Sequence, residues 1–321
     1  MVELNGKKIL VTFLMHLGDL TLTTPFIHAL RKAAPDAHIT MLVDEKLKDV
    51  VLFNPYLDEV VTIDKKGRDN SILSLWACSR HLSKLDFDVL INLHPNERCS
   101  FIDAMTSVKL RTGTTHKIFK WFWDVFTPLD RSMHAADMYL DVLQQLGVQN
   151  LSNNGLEIFP GEEHFLEAEL FWQEQNITDQ DKLIGFNIGS AVPTKRWPPE
   201  RFAEVADIFA AKGYKTVFFG GPMDEEMVAE ATGYMQTRPI IATGHFAIGG
   251  LAAAMRRCCL IITNDSGPMH VAISQKVPIV AMYGPSNPKL YGPYTKDAVI
   301  VTAQPPCQGC ADGMKHSCDD L

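Results

Sequence analysis

Short apolar, β-branched runs alternate with amphipathic helical spacing along nearly the whole of this chain, and the alternation restarts once. Strands are predicted near 8–13, 38–43, 60–63, 88–93 and 108–112, with helices near 20–34, 45–53, 70–84 and 134–146. A polar, turn-rich stretch, QLGVQNLSNNGLEIFPGEE, reads as a linker, and the pattern restarts at about residue 180. Strands there fall near 183–188, 215–219, 239–243, 259–263 and 278–282, and helices near 162–175, 199–212, 224–235, 248–257 and 267–275. Such alternation means parallel sheets with helices on both faces, an α/β chain. The 321 residues suffice for two doubly wound domains, 1–155 and 156–321. Facing each other across a cleft, two such domains hold ligands beyond the carboxyl ends of their strands.

Composition removes several classes of function. With 30 basic against 38 acidic residues the net charge is −8, which argues against nucleic acid as the default partner. No apolar run approaches the roughly 18 residues of a membrane span. The start, MVELNGKKILVTFL, lacks the basic end, long apolar core and cleavage site of a secretory signal, so a cytoplasmic location is expected. Cys78, Cys99, Cys258 and Cys259 read as reduced core residues. No G-x-G-x-x-G follows the first strand, and neither a P-loop nor a G-x-S-x-G elbow occurs. The single Asp-x-Asp, Asp86-Phe87-Asp88, precedes a strand and reads as a turn, not a metal site.

Four loops at predicted strand ends carry residues suited to chemistry. In FLMHLGDLTLTTP, residues 13–25, Gly18-Asp19 forms the tip of the first loop. Asp19 can cap the next helix or take a proton at the mouth of a cleft. Thr24 as cap and Pro25 as first helical residue offer a competing helix start, which leaves Asp19 free. In NIGSAVPTKRWPPERF, a Gly189-Ser190 turn, Thr194 and Lys195 suit phosphate, although a lone Lys is commonly just exposed. In LIITNDSGPMHVA, Asn264-Asp265 ends a strand, and Ser266, Gly267 and Pro268 open a helix whose N–H groups suit a diphosphate. His270, on the first turn of that helix, is either part of this site or a core histidine. In FFGGPMDEE, Asp224 either complements a helix dipole or holds a ribose.

Taken together, HLGDLTLTTPFIHALRKAAPDAHITMLV, GSAVPTKRWPPERFAEVA and NDSGPMHVA resemble the bacterial heptosyltransferases of lipopolysaccharide core assembly, the ninth glycosyltransferase family. The resemblance covers almost the whole chain in order and spacing. It implies the GT-B fold, with an N-terminal acceptor domain and a C-terminal domain for the nucleotide-sugar donor. It implies transfer of a heptose from ADP-L-glycero-β-D-manno-heptose to the lipid A-linked inner core, with inversion and with no cofactor and no metal. Asp19 is then the general base, and Lys195 meets the departing diphosphate. Ser190 lies near the phosphate, Asp265 holds sugar hydroxyls, and Ser266, Gly267 and the helix start hold phosphate oxygens. Alternatives are a related transferase using another nucleotide sugar or a protein acceptor, and a non-catalytic nucleotide-sugar-binding protein; the presence of both Asp19 and Lys195 speaks against the last.

An anionic lipid-linked acceptor calls for a basic, aromatic rim and peripheral contact with the cytoplasmic face of the inner membrane. The segment 111–134 offers one, with Arg111, His116, Lys117, Lys120 and Arg131 among Trp121, Phe122 and Trp123; the same pattern also suits a segment packing on its own domain. His94 and Arg98, at another strand end, are further acceptor candidates. Near the end of the chain Cys307, Cys310, Cys318 and His316 are expected as a reduced loop, with structural zinc the alternative. The helix that family members return to the first domain is expected to be missing or shortened.

Overall fold

The structure, a computed structural model, describes residues 2–302. The cysteine cluster Cys307, Cys310, His316 and Cys318, and any returning C-terminal helix, lie outside those residues. The chain divides into two compact units between Gly155 and Leu156.

In the first unit β1 (Lys8–Thr12), β2 (His38–Asp44), β3 (Glu59–Ile63), β4 (Phe87–Asn92), β5 (Val108–Gly113) and β6 (Val125–Phe126) form a parallel sheet in the order β3-β2-β1-β4-β5-β6. Ile9, Leu10 and Val11 are wholly buried, because a central parallel strand is covered on both faces. The helices are α1 (Leu17–Thr21), α2 (Thr24–Ala33), α3 (Ile72–Ser83), α4 (Glu97–Met105) and α5 (Ala135–Gln145). Helix α2 packs with α5, and α3 with α4. Leu75 and Leu82 of α3 and Ile102 of α4 close over Leu10, Leu42 and Leu90 of the sheet.

The second unit repeats this plan. Its strands are β7 (Leu183–Asn187), β8 (Lys215–Phe219), β9 (Ile240–Ile241), β10 (Cys258–Asn264), β11 (Ile279–Tyr283) and β12 (Ala298–Thr302), parallel in the order β12-β11-β10-β7-β8-β9. Around them lie α6 (Glu162–Glu174), α7 (Pro199–Ala211), α8 (Glu225–Tyr234), α9 (Ile248–Met255), α10 (Gly267–Ser274) and the short α11 (Pro288–Tyr291). Phe186 and Phe218 stack at 5.1 Å inside a core that includes Phe202 and Val228. Counted from its first strand, each sheet reads 3-2-1-4-5-6, so the order reverses between β1 and β4 in one unit and between β7 and β10 in the other. Among the described residues no helix is long and apolar enough to cross a membrane.

Three expectations change. The helix near 20–34 is two helices, and Asp19 sits in the first turn of α1 rather than at a loop tip. Thr21, Thr23 and Thr24 donate their hydroxyls to the carbonyls of Leu17, Leu20 and Thr21, and Pro25 has no N–H to continue a ladder. Thr24 is therefore the first helical residue and Thr23 the cap. The helix near 45–53 is a 3-10 helix, Glu45–Val50. Helix α4 was not expected; Asn96 starts it by accepting from Cys99 N at 2.6 Å.

Asp103 of α4 is fully buried, with Oδ2 accepting from Thr12 Oγ1 at 2.8 Å and from Cys99 Sγ at 3.7 Å. Burial pushes its carboxyl from the ordinary 3.8 up to about 8, although these bonds and Arg111 favour the charged form. The folded chain keeps a proton that the unfolded chain releases above about pH 4, so this group lowers stability as the pH climbs toward 8. Asp103→Asn should lose less stability than the wild type between about pH 5.5 and about pH 8 in urea unfolding. An identical pH slope in both proteins would show that Asp103 does not hold this proton.

Candidate active site

Asp19, His94, Lys195, Asp265 and Ser266 lie beyond the carboxyl ends of β1, β4, β7 and β10, the strands between which each sheet reverses order. In the first unit the chain leaves β1 through Phe13 and Leu14 and enters α1 at Leu17. Asp19 is the third residue of α1 and does not cap it: the N-cap is His16, which makes no side-chain cap bond. The Asp19 carboxylate is 25% exposed, and among the described residues its one ion-pair partner is His16 Nδ1 at 3.6 Å. His94 follows β4; its N–H donates to Asn92 Oδ1 at 2.6 Å, and Phe13 lies edge-on to its ring at 5.6 Å. Burial pushes the His94 imidazole down to about 4, against the pull of the Asp19 charge, so it is neutral at physiological pH. Its Nδ1 is buried with no hydrogen-bond partner among the described residues. A proton acceptor and a neutral imidazole therefore stand at adjacent strand ends.

Lys65 carries no signal in the sequence, yet it shapes this corner. Its ammonium donates to the carbonyls of Leu14 and Met15 at 3.0 and 3.1 Å and pairs with Asp44 at 3.1 Å. It thus ties down the segment that delivers Asp19. Two acceptor candidates are held by bonds within their own unit. Arg98 donates to the carbonyl of Lys65 and to Asn70 Oδ1, so its guanidinium braces the 64–70 turn. Arg111 donates to the carbonyls of Asp103 and Thr106, where α4 ends and leaves carbonyls unpaired. Lys117 and Lys120 lie on an exposed 3-10 helix, Lys117–Phe122. Phe119 packs edge-on to Phe101 at 6.2 Å, and Trp123 Nε1 donates to Thr112 O at 3.0 Å. Trp121 is left 95% exposed, with Ile118 and Phe122 beside it. Phe119 and Trp123 thus pack on their own unit, while Ile118, Trp121 and Phe122 face out.

In the second unit the loop after β7 is stitched to the end of β10. Asn264 Nδ2 donates to Ile188 O at 2.7 Å, its Oδ1 accepts from Trp197 N at 2.9 Å, and Arg196 Nε donates to Ser190 O at 2.8 Å. These bonds hold the 3-10 turn Pro193–Lys195, which carries Thr194 and Lys195, against β10. Lys195 Nζ lies 2.7 Å from Asp265 Oδ2, with the two side chains only 13% and 5% exposed. The exposed-surface reading of Lys195 is thereby corrected: a buried ammonium needs a counter-charge, and Asp265 supplies it. The Tyr283 hydroxyl lies close to this carboxylate, and burial together with the Asp265 charge pushes its pKa well up. Ser190 is buried against the same corner, 3.5 Å from Asp265 O.

Ser266 is the N-cap of α10 but makes no side-chain cap bond, so the first N–H groups of this eight-residue helix have no capping oxygen. Gly267 begins the helix, and His270 is buried on it. Asp224 Oδ2 accepts from Gly221 N at 2.9 Å, and the carboxylate lies where a side chain at Gly189 would stand. Asp224 thus closes a turn and rests on the Gly189-Ser190 corner. A cavity of about 410 Å³ opens beside Thr194, Lys195, Trp197, Tyr283 and Gly284. A larger one, about 750 Å³, lies between α6 and the end of α9, on the side of the residues that lead into β7 and β10. No cluster of three or more metal-ligating side chains occurs among the described residues.

Comparison with known proteins gives a consistent result. The family model for glycosyltransferase family 9 (heptosyltransferase) matches residues 75–317. Lipopolysaccharide heptosyltransferase 3 of Escherichia coli K12 is 24% identical over 297 residues, covering 88% of this chain and 84% of that protein. The crystal structure of the glycosyl transferase family 9 protein from Veillonella parvula DSM 2008 is 57% identical, with a TM-score of 0.93 over 94% of this chain and 89% of the other. The structure of E. coli ADP-heptose LPS heptosyltransferase II superposes with a TM-score of 0.79 at 23% identity, over 92% of this chain and 90% of that one. The two parallel six-stranded units are those of the GT-B fold.

Proposed function

This chain belongs to glycosyltransferase family 9, the heptosyltransferases, and on that premise we propose that it moves a heptose from ADP-L-glycero-β-D-manno-heptose to the lipid A-linked inner core of lipopolysaccharide, with inversion. The observation that carries the reading is the largely enclosed Lys195 ammonium, 13% exposed, set beside the uncapped start of α10 where the second sheet reverses order. An ADP leaving group develops negative charge; fixed N–H dipoles stabilise it without reorganising, and an ammonium beside them adds a counter-charge. In this reading residues 156–321 hold the donor and residues 1–155 the acceptor.

The acceptor oxygen attacks the anomeric carbon from the face opposite the diphosphate, which inverts that centre. Asp19 takes the hydroxyl proton as the bond forms, and the bond from carbon to the β-phosphate oxygen breaks with its electrons on oxygen. Lys195, the Ser266 hydroxyl and the α10 N–H groups receive that charge. As the ammonium turns from Asp265 to the diphosphate, the carboxylate is released to accept from sugar hydroxyls, so one exchange serves both groups. Ser190 and Thr194 add hydroxyls beside Lys195, and His94 offers a neutral ring to the acceptor. The test is transfer to heptose-free core lipopolysaccharide from a panel of ADP-, UDP- and GDP-sugars in excess chelator. Transfer from ADP-heptose alone is expected; efficient use of a UDP-sugar, or a strict need for added divalent metal, would overturn the reading.

The exposed strip of Ile118, Trp121 and Phe122, flanked by Lys117 and Lys120, supports contact with an anionic membrane surface on the cytoplasmic side, where the acceptor is anchored. Indole rings favour the membrane–water boundary, and each basic residue near an anionic surface adds about 1 kcal/mol. Trp121→Ala combined with Lys117→Ala and Lys120→Ala should reduce co-sedimentation with phosphatidylglycerol-containing vesicles and leave transfer to a detergent-solubilised acceptor intact. Undiminished co-sedimentation would remove this strip from the membrane contact.

A further inference from the structure

Asn187 ends β7, is fully buried, and has no part in the roles assigned above. Its amide lies between two hydroxyls, and the direction of each hydrogen bond can be worked out. Thr263 has a single hydroxyl proton, which it gives to the carbonyl of Asn264 at 2.8 Å. Toward Asn187, at 3.0 Å, Thr263 Oγ1 can then only accept, so the atom facing it is the donor Nδ2. The same Nδ2 points its other N–H at Ser266 Oγ, 2.9 Å away. Ser266 accepts this bond, and its own proton is directed elsewhere. That proton makes no backbone bond within α10, because an N-cap hydroxyl would have to accept there. Asn187 Oδ1 is buried with no partner among the described residues, a cost that an apolar residue would not carry.

We propose that Asn187 is a positioning residue that turns the Ser266 hydroxyl proton toward an anionic oxygen in front of α10. An undirected hydroxyl can offer either a lone pair or its proton, whereas a phosphate oxygen accepts only. By filling a lone pair of Ser266 from behind, the amide removes the unproductive orientation before the ligand arrives. The inference rests on the reading that the donor diphosphate lies at this helix start.

The test is ADP and adenosine affinity, by calorimetry, for Asn187→Leu, Ser266→Ala and the double variant. Ser266→Ala should weaken ADP about tenfold, as for loss of a hydrogen bond to a charged group. Asn187→Leu should weaken it by a large part of that, and in the Ser266→Ala background it should add nothing. Adenosine, which lacks the phosphates, should bind all three as it binds the wild type. The isosteric Asn187→Asp, which draws the Ser266 proton onto itself, should weaken ADP more than Asn187→Leu and serves if the latter folds poorly. Additive losses in the double variant, or parallel losses for ADP and adenosine, would overturn the inference. A Ser266→Ala protein with wild-type ADP affinity would remove the diphosphate from this helix start, a failure of the underlying reading that takes the inference with it.

Discussion

Asp19→Asn is expected to lower turnover by about 10²-fold or more, as for loss of a general base, while the melting temperature and ADP affinity stay near those of the wild type. The structure motivates both halves of this expectation. The carboxylate accepts no cap bond, and among the described residues its one ion-pair partner is the exposed His16, so its charge contributes little to folding. It stands beyond the end of β1, beside the strand across which the first sheet reverses order, where a doubly wound unit presents side chains to ligands. Asparagine keeps the shape and cannot take a proton. Near-normal transfer by the variant would exclude Asp19 as the base, and a large fall in melting temperature would give it a structural role instead. Because the proposed base and the proposed donor site fall in different units of the chain, ADP affinity serves as an internal control.

Lys195→Ala should produce two separable losses. Removing the ammonium leaves the Asp265 carboxylate buried and unpaired, which costs about 3 kcal/mol or more of stability. It also removes the cation proposed to face the diphosphate, so ADP should bind roughly 10- to 100-fold more weakly, the scale of one charge-assisted contact. The double variant Lys195→Ala/Asp265→Asn separates these effects. With no charge left to strand, its melting temperature should recover most of the loss, while ADP binding stays weak. If ADP affinity recovers together with stability, Lys195 acts only by holding Asp265, and the leaving-group role assigned to it fails.

The pairing behind that prediction was not legible in the sequence. Lys195 and Asp265 stand on separate loops, suited to the diphosphate and the sugar of one donor, and only the parallel pairing of β7 with β10 sets those loops side by side. The same register places Asn187 opposite Thr263, and from there its amide reaches Ser266. Lys65 went unnoticed because a lysine in a polar turn is ordinary; its importance comes from Leu14 and Met15, whose carbonyls it meets from about fifty positions away. The bonds made by Arg98 and Arg111 were equally hidden in the sequence. A guanidinium near a strand end looks available until the fold brings carbonyls to it, and both are occupied by their own unit.

Local order was readable wherever it arises from neighbours in the chain. The apolar runs of β1, β4, β7 and β10 declared themselves because a strand covered on both faces admits few polar residues, and Pro-bearing, Asp/Ser-rich turns marked where helices begin. Helix α4 escaped, since much of its surface, including Cys99, Ser100, Ile102, Asp103 and Ala104, is buried and little amphipathic contrast remains to detect. The α/β class, the two units and the strand-end positions of Asp19, Lys195 and Asp265 therefore follow from the order of residues alone. The reversal point of each sheet, the ion pair that holds Lys195, the neutral state of His94 and the protonated Asp103 come only from tertiary structure. Each depends on groups far apart in the chain meeting where water is excluded, and burial and charge there set protonation and hydrogen-bond direction.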